Sequence, residues 1–147
     1  MTVELFTIGF TETSAEHFFG LLRQAGVRRI IDIRLNNTSQ LAGFSKRDDL
    51  RYFLRELAGI DYVHVPEMAP TPEIFEAYKK HKGAWPDFEK QFKALIARRR
   101  VENVLTRETA HRGCLLCSEK APEHCHRRLI AEHLKRHWGD VTTRHLV

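Results

Sequence analysis

The chain has 147 residues, of which 42% are hydrophobic and 29% charged, with a formal net charge of +5. This composition is that of an ordinary globular domain with a buried core, and it excludes a disordered or low-complexity chain. The sequence contains neither an apolar run of the roughly 20 residues that cross a bilayer nor a signal for secretion, so we expect a cytoplasmic protein without a membrane partner.

Segments with the two-residue period of strands alternate along the chain with segments of helical period. In chain order the predicted elements are strand 4–9, helix 13–26, strand 28–34, loop 36–46, helix 45–57, strand 62–65, helix 73–81, helix 85–100, strand 113–117, helix 125–138 and strand 141–146. Strands that alternate with helices are typical of a parallel sheet. We therefore predict one α/β domain over residues 1–147, with a mainly parallel sheet of about five strands flanked by helices in Rossmann-like or flavodoxin-like layers.

Capping signals set several of the predicted helix starts. Thr13 and Glu16 have the spacing of a capping box, and Ser45 begins a second segment of this kind. Thr71 followed by Pro72 is the typical start of a third helix. The apolar positions predicted to face the core are Phe18, Phe19, Leu21, Leu22, Ala25, Ile30, Ile31, Ile33, Phe88, Phe92, Leu95 and Ile96.

Chemically active side chains collect where the predicted strands end and where the last helix begins. In open parallel sheets, ligands bind beyond the carboxyl ends of the strands, because loops and helix starts gather there. The residues that this rule selects are Asp32, Arg34, Cys117, Glu119, Cys125, His126 and Arg127. We expect them to line one cleft.

Four of these residues are candidates for catalysis because they carry a nucleophile or a proton-transfer group. Cys125 lies at a predicted helix start beside Arg127, where the helix dipole and the positive charge would lower the pKa of its thiol. Cys117 is the alternative nucleophile, and Glu119 and His126 could transfer protons. The structural alternative is that the cysteines are small buried residues that pack the last helix against the sheet.

Asp32, Arg34 and Arg127 are candidates for binding an anionic substrate. Arginine can hold a phosphate or a carboxylate through two parallel hydrogen bonds, and a helix start also attracts anions. Asp32 and Arg34 lie two positions apart on the second strand, so they share a face. They could instead form an internal ion pair, and both uses stay open.

The cysteines also raise the question of a metal site. Cys114 and Cys117 have zinc-like spacing, but they lie on a strand, where positions three apart face opposite sides of the sheet. We therefore expect no zinc site of that kind and no other cofactor. An odd count of three cysteines in a chain expected in the cytoplasm also predicts no disulfide, so that all three thiols stay free. A smaller metal site made of Cys117, Glu119, Cys125 and His126 remains open.

Motifs spread over most of the chain resemble those of one known family. They are Gly9 with Phe10, Asp32-Ile-Arg34-Leu-Asn36, Ser39, Gly43-Phe-Ser-Lys46, Gly59-Ile-Asp-Tyr-Val-His64, Cys117-Ser-Glu119 and Cys125-His-Arg127. Together they resemble the domain of unknown function 488 family, for which the paired Cys-x-Glu and Cys-His-Arg motifs are specific. Asn37 departs from the proline that members often have, and Met68-Ala69 departs from the usual Leu-Gly. The resemblance implies a compact α/β domain with clustered polar motifs, and it supplies no activity.

Two functions of different classes fit these residues. The first is a small enzyme that acts on a phosphate-bearing substrate, such as a nucleotide or a nucleic-acid component, through the Cys/His/Arg/Glu cluster. The second is a binding module for a nucleotide or a nucleic acid, in which the same cluster holds phosphate, and the net charge of +5 favours such partners. A metal-binding protein that uses Cys, His and Glu is a third alternative.

Overall fold

Five strands form one sheet in the computed structural model, which describes residues 2–38, 43–119 and 121–147. The strands are β1 Val3–Ile8, β2 Arg29–Asp32, β3 Asp61–His64, β4 Gly113–Leu116 and β5 Val141–Leu146, in the spatial order β3-β2-β4-β1-β5. All neighbouring strands run parallel. The predicted α/β fold with a parallel sheet is therefore confirmed. Ser39, one of the family motif residues, lies outside the described residues.

Helices cover both faces of the sheet, because parallel strands need crossover connections. They are α1 Ala15–Ala25, α2 Arg47–Phe53, α3 Pro72–Lys79, α4 Trp85–Arg99, α5 Arg107–Ala110 and α6 His126–Trp138. Helix α5 was not predicted, and Ser45 lies buried in a 3-10 turn instead of capping α2. Among the described helices, none combines the length and the apolar character needed to cross a membrane.

Ser14 and Thr71 cap their helices with side-chain oxygens. Thr71 Oγ1 accepts a hydrogen bond from the backbone N–H of Ile74 at 3.2 Å, which confirms the predicted start of α3. In α1 the cap is Ser14, whose Oγ accepts from the N–H of His17 at 3.1 Å. The capping box predicted at Thr13 is therefore one residue too early.

The two faces of the sheet carry separate apolar cores, because successive side chains of a strand point to opposite sides. Ile31 and Ile33 pack with α4 and α6, whereas Ile30 packs with α1 and α2. All three are fully buried, as predicted, and the four apolar positions predicted on α4 are buried as well. On α1, Phe18, Phe19 and Leu22 are buried, whereas Leu21 and Ala25 are only partly buried. Cys114 and Cys117 belong to different cores, which confirms that they face opposite sides of the sheet.

Candidate functional site

Cys117 and Cys125 meet at the carboxyl edge of the sheet. Cys117 directly follows β4, and Cys125 immediately precedes α6. Their sulfurs are joined in a disulfide, so the expectation of three free thiols is wrong. That expectation depended on a reducing compartment and on Cys114 facing away from Cys117, whereas the structure brings Cys125, at the start of α6, to the end of β4.

The backbone around this pair also suits two separate thiols. The two Cα atoms are 7.4 Å apart, outside the roughly 4.4–6.8 Å that is usual in disulfides. The same backbone positions can therefore hold Cys117 and Cys125 as two thiols that face each other. Cys114, the remaining cysteine, is a free thiol in the other core, where burial raises its pKa.

Arg127 places a buried positive charge against Cys117. Its side chain has no solvent exposure, and its Nη1 donates to Cys117 Sγ at 3.5 Å and to the carbonyl oxygen of Glu119. Its Nε donates to Thr7 Oγ1 at 3.3 Å. Burial lowers the pKa of Arg127 to about 10, so the guanidinium is still charged at neutral pH. When the disulfide is open, this charge stabilises the thiolate form of Cys117.

Gly9 makes this close packing possible. A Cβ atom at this position would collide with the carbonyl oxygen of Glu119 and would lie 2.9 Å from Arg127 Nη1. The turn after β1 therefore needs glycine for the segment after β4 to lie over it. From the sequence we expected Arg127 beside Cys125, and its contact with Cys117 depends on this segment, whose path no local pattern predicts.

His126 is held as a neutral ring. Its Nε2–H donates to the carbonyl oxygen of Ile33 at 2.7 Å, and the ring meets Phe92 edge-on with centroids 5.4 Å apart. Burial, with the charge of Arg127 as a smaller cause, lowers the pKa of His126 to about 4. A ring with this pKa is a weak base at neutral pH, so the geometry favours a positioning role over the predicted proton transfer.

We expect the lowered pKa of His126 to make the stability of the protein depend on pH. The unfolded chain gains a proton on this histidine below about pH 6.5, whereas the folded protein gains it only near pH 4. The free energy of unfolding should therefore decrease as the pH falls through this window. We expect a decrease of about 2 kcal/mol, less than the full pKa difference implies, because solvent screens the partly exposed ring. Urea unfolding of the wild type and of His126→Gln, at about pH 7 and about pH 4.5, measures this effect. Glutamine can still donate to Ile33 but does not titrate, so an equal loss in both proteins would contradict the prediction.

A small pocket with about 40 Å³ of space lies beside the cysteine pair. The four residues predicted for catalysis border it, namely Cys117, Glu119, Cys125 and His126. A water molecule needs roughly 10–15 Å³ measured in this way, so the pocket holds about three of them. It admits a very small molecule and is too small for a nucleotide.

The other wall of the pocket comes from α3 and α4, to which the sequence patterns assigned only core packing. Lys79 forms an ion pair with Glu119, and both side chains are exposed at this pocket. Trp85 stacks on His124 with ring centroids 5.0 Å apart. The aromatic residues of α4 follow the spacing of a core face, and Lys79 carries no distinguishing pattern. His124 precedes Cys125 in the sequence and was for that reason a possible base for its thiol. Their place at the pocket depends on how α3 and α4 dock at the edge of the sheet.

Asp32 and Arg34 form an internal ion pair. Arg34 donates from Nε to Oδ1 and from Nη2 to Oδ2 of Asp32, both at 2.9 Å, and neither residue is more than 2% exposed. Tyr62 donates its hydroxyl to Asp32, and Arg34 Nη1 donates to the carbonyl oxygen of Ser45 at 2.6 Å. Arg34 also lies over the ring of Phe10, 5.4 Å from its centroid, in the core of α1 and α2. These contacts are those of an internal ion pair, which was the alternative to anion binding for Asp32 and Arg34.

The seven predicted residues do not line one cleft, and that expectation is corrected here. Asp32 has the same strand parity as Ile30 and therefore faces α1 and α2, together with Arg34. The cysteine pair lies on the α4 and α6 side, with Arg127 buried behind it. The residues that do share one pocket are Cys117, Glu119, Cys125 and His126.

Three donors at this pocket could hold a metal ion if the disulfide is reduced. The ligand atoms of Cys117, Cys125 and His126 lie within 4.8 Å of one another. His126 uses Nε2–H for the carbonyl oxygen of Ile33, so the lone pair for a metal is on Nδ1, and such a backbone contact is typical of histidine ligands. Cysteine binds zinc as a thiolate, which the disulfide does not offer.

Comparison with known proteins gives one match. A family model described as Domain of unknown function DUF488 matches residues 14–134. The matched range contains all seven residues predicted for the site, from Asp32 to Arg127. No curated protein and no solved structure matches the chain.

Proposed function

The chain belongs to the family Domain of unknown function DUF488, and from the geometry of its site we propose that it is a small thiol-dependent enzyme that reduces hydroperoxides. One observation carries the proposal: Arg127 Nη1 lies 3.5 Å from Cys117 Sγ, and the sulfur of Cys125 is bonded to the same atom. A thiolate stabilised by a cation, with a second thiol beside it, is the arrangement that reversible thiol oxidation requires.

Cys117 is the nucleophile in this proposal, and Cys125 resolves the intermediate. Arg127 Nη1 contacts Cys117 Sγ, so Cys117 is the cysteine whose thiolate this cation stabilises. Cys125 also lies at the start of α6, whose unpaired backbone N–H groups add positive potential to the same place.

The reaction takes two steps. In the first, the thiolate of Cys117 attacks one oxygen of the peroxide, an S–O bond forms, the O–O bond breaks, and the leaving alkoxide takes up a proton. In the second, the sulfur of Cys125 attacks the sulfenic acid of Cys117, the S–O bond breaks, and the hydroxyl leaves as water with the thiol proton of Cys125. The pair loses two electrons and the peroxide gains two, and an external dithiol returns two electrons when it reopens the disulfide.

The size of the pocket supports a peroxide as the substrate. Cys117 and Cys125 are each at most 2% exposed, so a reactant reaches the sulfurs through the pocket. Its space of about 40 Å³ matches a molecule with few heavy atoms, such as hydrogen peroxide.

A phosphate-bearing substrate, the first function expected from the sequence, stays a prediction with less support. Arg34 is engaged by Asp32, and Arg127 is buried behind the sulfurs. Neither guanidinium is presented to solvent as a clamp for phosphate, and a nucleotide exceeds the volume of the pocket. The same burial of Arg34 and Arg127 reduces the support for the second predicted function, a binding module for nucleotides or nucleic acids.

Metal binding by the reduced pair is the second candidate function, and the orientation of His126 favours it. The charge of Arg127, 3.5 Å from Cys117 Sγ, opposes a divalent cation at the same sulfur and favours a free thiolate. We therefore place peroxide reduction first. Metal analysis of wild type and Cys117→Ser, both purified under reducing conditions, separates the two, since about one zinc ion per chain that the variant loses would favour the metal site at the cysteine pair.

Counting thiols before and after peroxide treatment tests the proposal. We expect the reduced protein to present three thiols and, after one equivalent of hydrogen peroxide, only the thiol of Cys114. Mass spectrometry of the digested protein should then find Cys117 linked to Cys125, and a dithiol should restore all three thiols. The control Cys114→Ala should lose two thiols at the same rate. Three thiols that persist in the presence of peroxide would overturn the proposal.

A further inference from the structure

Two histidines and a glutamate converge near the C-terminal end of α6, away from the cysteine pair. His133 and His137 lie four residues apart and therefore on one face of the helix, with ring centroids 4.3 Å apart. Glu102, in the 3-10 turn 101–103, faces both of them. Its Oε1 lies 2.7 Å from His133 Nε2, and its Oε2 lies 3.7 Å from His137 Nδ1.

These three side chains are the donor set of a known class of zinc site. Zinc with two imidazoles and one carboxylate, at bond lengths of about 2.0–2.2 Å, keeps its fourth position for water or another ligand. The ligand atoms of Glu102, His133 and His137 all lie within 4.8 Å of one another, so small side-chain movements would bring them to one ion. No protein ligand beyond these three is needed.

The burial of the cluster also suits a metal site. His133 is 2% exposed and the Glu102 side chain 16%, whereas His137 is 45% exposed and leaves a path from solvent. Trp138 Nε1 donates to the carbonyl oxygen of Glu102 at 3.2 Å, which holds the 3-10 turn against α6.

We propose that Glu102, His133 and His137 form a binding site for a divalent transition-metal ion of the zinc class. A hydrogen bond between His133 and Glu102 alone would be enough to tie α6 to the 3-10 turn. That role does not require His137, which nevertheless places a second imidazole beside the other carboxylate oxygen of Glu102. The ion would link α6 to the turn after α4.

Titration of the oxidised protein with Zn²⁺ and with Co²⁺ tests this site. With the Cys117–Cys125 disulfide closed, that pair offers no thiolate, so the test is independent of the proposed peroxidase activity. We expect one bound ion per chain, and a cobalt spectrum with ligand-field bands but without sulfur-to-cobalt charge transfer. Zinc should also raise the melting temperature.

Substitution of the ligands completes the test. His137→Ala should weaken metal binding at least about tenfold and remove the zinc-dependent rise in melting temperature, while the exposed position keeps the fold intact. Glu102→Gln, which preserves shape, should also weaken binding. The control His17→Ala changes an exposed histidine on α1 and should bind like the wild type. Absence of binding by the wild type, or equal binding by His137→Ala, would overturn the proposal.

Discussion

Cys117→Ser is expected to slow the peroxide-dependent oxidation of the protein by about a thousandfold or more, because a serine hydroxyl cannot replace the thiolate nucleophile. Arg127 contacts the sulfur of Cys117 at 3.5 Å and stabilises its negative charge. The rate can be followed as peroxide consumption with an external dithiol as reductant. Thiol counting should show that Cys117→Ser keeps both of its remaining thiols.

Cys125→Ser is the matched control, since it removes the other sulfur of the disulfide. The first step should still occur in this variant, so that one equivalent of peroxide is consumed and a sulfenic acid accumulates on Cys117, where a sulfenic-acid-specific reagent can trap it. Without an external dithiol the reaction should stop after this one equivalent, because the intramolecular disulfide cannot form. If Cys125→Ser were inert and Cys117→Ser reacted, the two cysteines would have the opposite roles and the part assigned to Arg127 would be wrong.

Asp32→Ala is expected to lower the free energy of unfolding by about 3–5 kcal/mol, because it leaves the buried guanidinium of Arg34 without its partner. Asp32 has no solvent exposure and accepts hydrogen bonds from Arg34, Tyr62 and Asn37. A loss of this size is a large fraction of the total stability of a small domain. Urea unfolding measures it, and Asp32→Asn, which keeps the shape of the side chain, provides a milder variant.

Asp61→Ala is the control for this prediction, since its ion pair with Arg29 has a 3.4 Å separation and Asp61 is 75% exposed. We expect it to cost less than about 1 kcal/mol. A double variant that replaces Asp32 and Arg34 by apolar residues of similar volume should be more stable than Asp32→Ala. Equal costs for Asp32→Ala and Asp61→Ala would show that the buried pair contributes no more than the exposed one.

The same pair should weaken in acid. Burial alone would raise the pKa of Asp32, but the hydrogen bonds and the charge of Arg34 lower it below the usual value. A carboxyl group with a lowered folded-state pKa stabilises the protein above its unfolded pKa of about 4, and this contribution is lost as the pH falls through the folded value. The difference in unfolding free energy between wild type and Asp32→Ala should therefore shrink in strong acid.

Local patterns were enough to predict the class of fold, because they depend on residues that are neighbours along the chain. Ile30, Ile31 and Ile33 are buried as the strand pattern predicts, and Thr71 caps α3 as its position before Pro72 predicts. The alternation of strands and helices then leads to a parallel sheet. The predicted start of α1 was one residue early because Thr13 and Ser14 are both suitable caps. The local backbone conformation, which the sequence pattern does not give, decides that Ser14 is the cap.

The sequence predicted which residues of a strand share a face of the sheet, but it did not predict what covers each face. Alternation along β2 separates Asp32 and Arg34 from Ile31 and Ile33. Which helices cover each face, and whether Cys117 lies on the face of Ile33, depends on the strand order β3-β2-β4-β1-β5 and on its register. A rule that gathers strand ends at one edge therefore brought together residues that the sheet itself keeps apart.

The sequence by itself determined the type of fold and most of the predicted core positions, and it selected the candidate site residues. Only the tertiary structure decided how those residues are paired: Cys117 with Cys125, and Arg127 with Cys117. The physical reason is that these contacts join separate elements, and they form only because the segment after β4 crosses Gly9 closely enough to meet the start of α6. Such a path is set by the packing of the whole sheet and its helices, which no short stretch of sequence contains.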